Sequence, residues 1–92
     1  MQKFLIEVPH DEDFISCVQA VQIFLTSGSH FLANADWGCK DGEHKAWLVV
    51  ETKSKEEARR IIPPAYRADA KITGLNKFNR EELDEGMRDA HS

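Results

Sequence analysis

HFLANADWGCKDGEHKAWLVVE, residues 30–51, is the stretch whose reading decides the fold. Asp41-Gly42 at its centre is a strong hairpin signal, because a type I′ turn needs positive φ at both central residues. The runs on either side, His30–Cys39 and His44–Glu51, then read as two antiparallel strands. With a two-residue loop, Lys40 pairs with Glu43 and Cys39 with His44. Trp37 pairs with Ala46, Ala35 with Leu48, and Ala33 with Val50. This apolar row is expected beneath helices. The other row carries Leu32, Asn34, Asp36, Lys45, Trp47, Val49 and Glu51.

Working toward the N-terminus, residues 3–8 alternate as a strand, with Phe4, Ile6 and Val8 on one face and Leu5 and Glu7 on the other. Pro9 ends it. Asp11 to Asp13 place acids where a helix start favours negative charge. Phe14, Cys17, Val18, Val21, Phe24 and Leu25 follow at helical offsets and are expected to form the buried stripe. Gly28 stops that helix.

On the C-terminal side, Ser54 and Glu57 form a capping box. Ala58, Ile61 and Ile62 make the buried stripe of the helix it starts. Pro63-Pro64 ends the helix, because neither ring donates a hydrogen bond. Residues 72–78 read as a fourth strand, joined by Leu75 and Lys77 to the less apolar face. Asn79 and Glu82 cap a final helix with a thin seam of Leu83, Met87 and Ala90.

The order is βαββαβ with an extra C-terminal helix. It predicts one α+β domain over 1–92: a ferredoxin-like sandwich, with a four-stranded antiparallel sheet and two helices on one face. The face without helices holds Leu5, Leu32, Trp47, Val49 and Leu75 among polar residues. A patch of that kind marks an interaction surface, and the expected partner is a second copy packed sheet to sheet.

Composition narrows the function classes. The chain has 92 residues and a formal net charge of −4, with 12 Lys and Arg against 16 Asp and Glu. That balance weighs against a nucleic-acid partner. No apolar run approaches the roughly 20 residues that span a bilayer, so no membrane partner is expected. Residues 1–8 are broken by Lys3 and Glu7 and do not resemble a secretory signal. The two cysteines, Cys17 and Cys39, are too few for a disulfide scaffold. They read as free thiols in the cytoplasm.

The topology brings the ends of strands one and two and the start of strand three to one edge. His10 continues the Phe4, Ile6, Val8 face, and Cys39 opposes His44, so these three converge near the first helix, with Asp11 and Asp13 close by. A thiolate and two imidazoles suit a divalent transition metal such as zinc with one open position. A Cys–His pair also suits nucleophile and base, and histidines beside carboxylates suit proton transfer. Tyr66 and Arg67 follow the double proline in a loop toward the same edge. No phosphate cradle, nucleophile elbow or HExxH motif occurs.

From Phe31 to Phe78 the chain resembles small bacterial proteins of the dimeric α+β barrel superfamily. The Asp41-Gly42 turn, Ala46-Trp47-Leu48-Val49-Val50-Glu51, the helix capped by Ser54 and the strand ending Leu75-Asn76-Lys77-Phe78 carry the resemblance. It implies a ferredoxin-like protomer, a sheet-to-sheet homodimer and one pocket per subunit. The superfamily includes muconolactone isomerase-like enzymes, cofactor-free monooxygenases and small metal-binding or stress proteins, so the fold leaves the function open. None of its catalytic motifs maps onto this chain.

Three functional expectations follow, and they leave open whether the chain is an enzyme. The first is isomerase-like proton transfer on a small organic molecule, with His10 and His44 as acid and base and Asp36 or Cys39 assisting. The second is metal or small-ligand binding by His10, Cys39 and His44. The third is an assembly module using the Trp47 face and the last helix.

Overall fold

The computed structural model describes residues 1–91, with side chains described for residues 1–86. Met87 and Ala90, two of the three residues expected in the seam of the last helix, lie outside the described side chains. The elements run β1 Gln2–Pro9, α1 Phe14–Thr26, α2 His30–Ala33, β2 Asp36–Trp37, a 3-10 turn Cys39–Asp41, β3 Lys45–Thr52, α3 Lys55–Ile61, α4 Pro64–Arg67, β4 Lys71–Leu75 and α5 Arg80–His91. The protein is α+β. Its four strands form one antiparallel sheet in the order β2-β3-β1-β4.

Alternation along β1 and β3 sets the core. Phe4, Ile6 and Val8 of β1 are buried with Ala46, Leu48 and Val50 of β3 and Ile72 of β4. Phe24, Leu32, Ala58 and Ile62 cover them from the helical side. Leu5 pairs with Val49 and Thr73 on the opposite, helix-free face, because successive strand residues point to opposite sides. Val49 is 54% exposed there.

The caps at Ser54 and Asn79 form where the sequence places them, and the last of the three acids before α1 is its cap. Asp13 accepts from the Ser16 backbone N–H at 2.8 Å and starts α1. Ser54 Oγ accepts from the Glu57 N–H at 3.2 Å. The return arm of this box goes one residue upstream, where Lys53 N–H donates to Glu57 Oε2 at 3.0 Å. Asn79 Oδ1 accepts from Glu82 N–H at 2.8 Å and starts α5.

Four expectations are corrected. The second strand is two residues long, not the span His30–Cys39. Ser29 caps a helical turn over His30–Ala33, and Asn34 Nδ2 donates back to the His30 carbonyl at 2.7 Å. These local bonds outcompete the ladder. They drop Leu32 into the core, so Ala33–Val50 and Ala35–Leu48 never pair. Trp37–Ala46 does pair.

The Asp41-Gly42 loop is not a type I′ turn. Gly42 has φ of 81°, but among the described residues only glycines have positive φ, so Asp41 stays right-handed. Gly38 O instead accepts from both Asp41 N–H and Glu43 N–H at 3.0 Å. A Cβ at Gly38 would lie 2.6 Å from the Trp47 ring and 2.7 Å from the Glu43 carbonyl. The backbone can therefore fold over Trp47 only because this residue is glycine.

The buried side of α1 also differs. Ala20 and Phe24 are buried, whereas Phe14 is 81% exposed and Val18 and Leu25 lie largely outside. The helix contains no charged residue. With apolar groups on most sides, periodicity alone cannot select the face that packs. Lastly, β4 ends at Leu75 rather than Phe78, and Asn76, Lys77 and Phe78 are exposed beyond it.

Candidate metal centre

The ladder between β1 and β3 runs one step past Pro9 and Lys45. His10 N–H donates to the His44 carbonyl at 3.0 Å, which fixes both histidines at the same edge. Their rings meet edge to face with centroids 5.9 Å apart. Trp37 stands against the other side of His10 at 5.8 Å and leans on the buried Phe24 at 4.9 Å. The site thus has a rigid apolar floor tied to the core.

Cys39 enters from the 3-10 turn, which Gly38 and Gly42 bracket. Its Sγ lies 3.1 Å from His10 Nε2. Cys17 enters from α1, one turn after the Asp13 cap, where its N–H donates to the Asp13 carbonyl at 3.1 Å. One donor atom from each of His10, Cys17, Cys39 and His44 lies within 4.8 Å of the others.

Electrostatics match a crowded, partly desolvated cluster. The His10 imidazole is held below its ordinary pKa, first by burial and then by His44, with Asp11 and Asp13 pulling the other way. Burial, and then the hydrogen bond with Cys17, push the Cys39 thiol up to about 11. The Nδ1 atoms of His10 and His44 are buried without hydrogen-bond partners. Buried polar nitrogens normally have a partner, and an ion bound at Nδ1 of His44 would supply one there, while His10 turns its Nε2 toward Cys39.

The donor chemistry passes a simple fit test. Tetrahedral zinc, with Zn–S near 2.3 Å and Zn–N near 2.0–2.1 Å, implies donor separations of roughly 3.3–3.8 Å. Four atoms already within 4.8 Å need only side-chain adjustment to reach that spacing. Two thiolates would neutralise a divalent ion and two imidazoles would complete the shell.

The structure brings His10, Cys39 and His44 together, though by a 3-10 turn rather than by direct strand pairing of Cys39 with His44. Asp36 is exposed on β2 opposite Trp47; it alternates with Trp37 and faces away from the cluster. Arg67 donates to the Ile62 carbonyl at 2.9 Å, so its guanidinium is tied to backbone. Tyr66 packs edge to face on Phe24 at 6.1 Å.

The residue that sequence reasoning missed is Cys17, which was placed in a buried apolar stripe. Its usable signal was position: a helix that starts directly after β1 brings its first turn beside His10. A cavity of about 640 Å³ adjoins the cluster, lined in part by Phe14, Cys17, Val21, Trp37, Cys39 and His44. On the other side His10 opens to a polar cleft with Asp11, Tyr66 and Asp69. No described helix is long and apolar enough to cross a membrane. No family model, curated protein or solved structure matches the chain.

Proposed function

We propose that this protein binds one divalent transition-metal ion, zinc by donor chemistry, through His10, Cys17, Cys39 and His44. The observation that carries the proposal is the mutual approach of the four donor atoms within 4.8 Å. A full shell of two sulfur and two nitrogen donors is the pattern of a structural rather than a catalytic site. In such a site the ion ties β1, α1, the 3-10 turn and β3 together. The proton-transfer alternative uses the same His10 and His44, but an imidazole whose nitrogen binds a metal has no free lone pair there to take up a proton. Of its two expected helpers, Asp36 is on the wrong side of the sheet, and Cys39 is in the cluster.

Metal analysis of the reduced, purified chain tests the proposal. One zinc per chain is expected, with cobalt substitution giving the intense visible bands of a tetrahedral thiolate site. A reduced chain that takes up neither metal at micromolar concentrations overturns it.

A ferredoxin-like reading of the protomer is supported by the strand order, with β1 and β3 central, and by helices packed on a single face. A second reading, homodimerisation through the helix-free face, rests on that face's composition. Its centre is Leu5 and Val49, and Lys3 pairs with Glu51 while Glu7 pairs with Trp47 and Lys71. An apolar centre edged by balanced charges is complementary to itself across a two-fold axis. The dimeric α+β barrel superfamily remains the proposed kinship on the same grounds.

A further inference from the structure

We infer that Cys17 and Cys39 form a redox pair whose closure to a disulfide, driven by a hydroperoxide, ejects the bound metal; this rests on the metal-binding reading above. The two sulfurs come from elements far apart in sequence, yet lie within 4.8 Å of one another. Both are free thiols and neither side chain is fully buried. Both line the same open cavity beside Trp37 and His44, which gives a peroxide-sized oxidant a route to either sulfur. Cys39 also sits on a short turn whose tip, Lys40 to Glu43, is exposed. Rotation of the two cysteine side chains must close the remaining distance to disulfide bonding length.

The chemistry balances. One zinc-bound thiolate attacks the peroxide oxygen, the O–O bond breaks, and a sulfenic acid forms as hydroxide or alkoxide leaves. The second thiolate attacks that sulfur and expels hydroxide, forming the S–S bond. Two protons from solvent convert the leaving groups to water, or to water and an alcohol. The two sulfurs lose two electrons and the peroxide gains them. Thiolates are metal ligands and disulfide sulfurs are not. Only His10 and His44 would remain, and two imidazoles do not retain zinc against solvent.

The test uses the full chain loaded with zinc, exposed to hydrogen peroxide and then to dithiothreitol. A chromogenic chelator reads free zinc, and intact mass under non-reducing conditions reads the disulfide. The expected result is one zinc released for each pair of thiols lost, a mass lower by two hydrogens, and recovery of both on reduction. Peptide mapping should place the crosslink between Cys17 and Cys39. Cys17→Ser, with unchanged far-ultraviolet dichroism, should form no intramolecular crosslink. Zinc that stays bound through peroxide treatment, or thiols that pass to sulfinic acid without a crosslink, overturns the redox inference and leaves the metal reading standing. A reduced chain that never loads zinc overturns both.

Discussion

Sγ of Cys39 lies 3.1 Å from Nε2 of His10, across 29 residues of sequence. The contact joins the end of β1 to the turn before β3 and defines one edge of the proposed tetrahedron. Cys39→Ser keeps the side-chain size but removes the thiolate. Losing only an outer partner of a metal ligand costs about 10–100-fold in affinity. Loss of the ligand itself should weaken zinc binding by at least about 100-fold, measured by competition with a chromogenic chelator. Dichroism of the metal-free variant should match that of the metal-free parent.

Metal affinity should rise with pH. The Cys39 thiol, pushed up to about 11 by burial and by Cys17, is protonated across the neutral range and must release its proton on binding. That proton alone makes the apparent affinity increase about tenfold per pH unit. Calorimetry in buffers of different ionisation heat should find at least about one proton released per zinc. An affinity flat between pH 6 and 8 contradicts coordination by Cys39.

The metal-free protein should respond to acid in the opposite sense to a stabilising histidine pair. The folded pKa of His10 lies below its ordinary 6.5, so as pH falls the unfolded chain takes up the proton first. Its neutral form in the fold therefore favours stability above pH 6.5, and that share is lost as pH drops toward the folded value. Melting temperature should fall through this window in the parent chain. His10→Asn should flatten the decline, and added zinc should raise the melting temperature of the parent only.

How much of this was legible in the sequence depends on which signals were local. Alternation in β1 and β3 placed Phe4, Ile6, Val8, Ala46, Leu48 and Val50 correctly, and the caps at Ser54 and Asn79 mark real helix starts. The convergence of His10, Cys39 and His44 followed from topology, because the end of β1 and the start of β3 share an edge. Cys17 was illegible as a ligand because α1 is apolar on most sides, and a stripe without a polar counter-face cannot be phased. The short β2 was missed because Ser29 and Asn34 bond nearby backbone groups, the Leu32 N–H and the His30 carbonyl. That competition does not alter the hydrophobic pattern.

Gly38 supports the site from beneath. A Cβ there would meet Trp47 ring carbon and the Glu43 carbonyl at 2.6 and 2.7 Å. Neither can move freely, since Trp47 Nε1 donates to Glu7 Oε1 at 3.3 Å and Glu43 belongs to the turn. Gly38→Ala should cost about 1–3 kcal/mol, the range of overpacked substitutions. It should also displace Cys39, so zinc affinity should fall together with stability. Gly86→Ala, where a Cβ meets nothing within 4 Å, is the control: it should leave zinc affinity unchanged and should not lower stability, since alanine suits a helix interior better than glycine.

The helix-free sheet face supplies the last prediction. Val49 is 54% exposed at its centre and faces Leu5 across the ladder. In an isologous dimer Val49 of each copy approaches the axis, so Val49→Glu sets two like charges close together and desolvates them. One buried unpaired charge already costs several kcal/mol, enough to dissociate a dimer held by a modest apolar patch. The fold should survive, because the side chain points away from Phe4, Leu48 and Val50. Light scattering should therefore report twice the chain mass for the parent and one chain mass for Val49→Glu, with matched zinc stoichiometry. A parent chain that scatters as a monomer at every concentration removes the dimer and leaves the metal centre untouched, because all four ligands come from one chain.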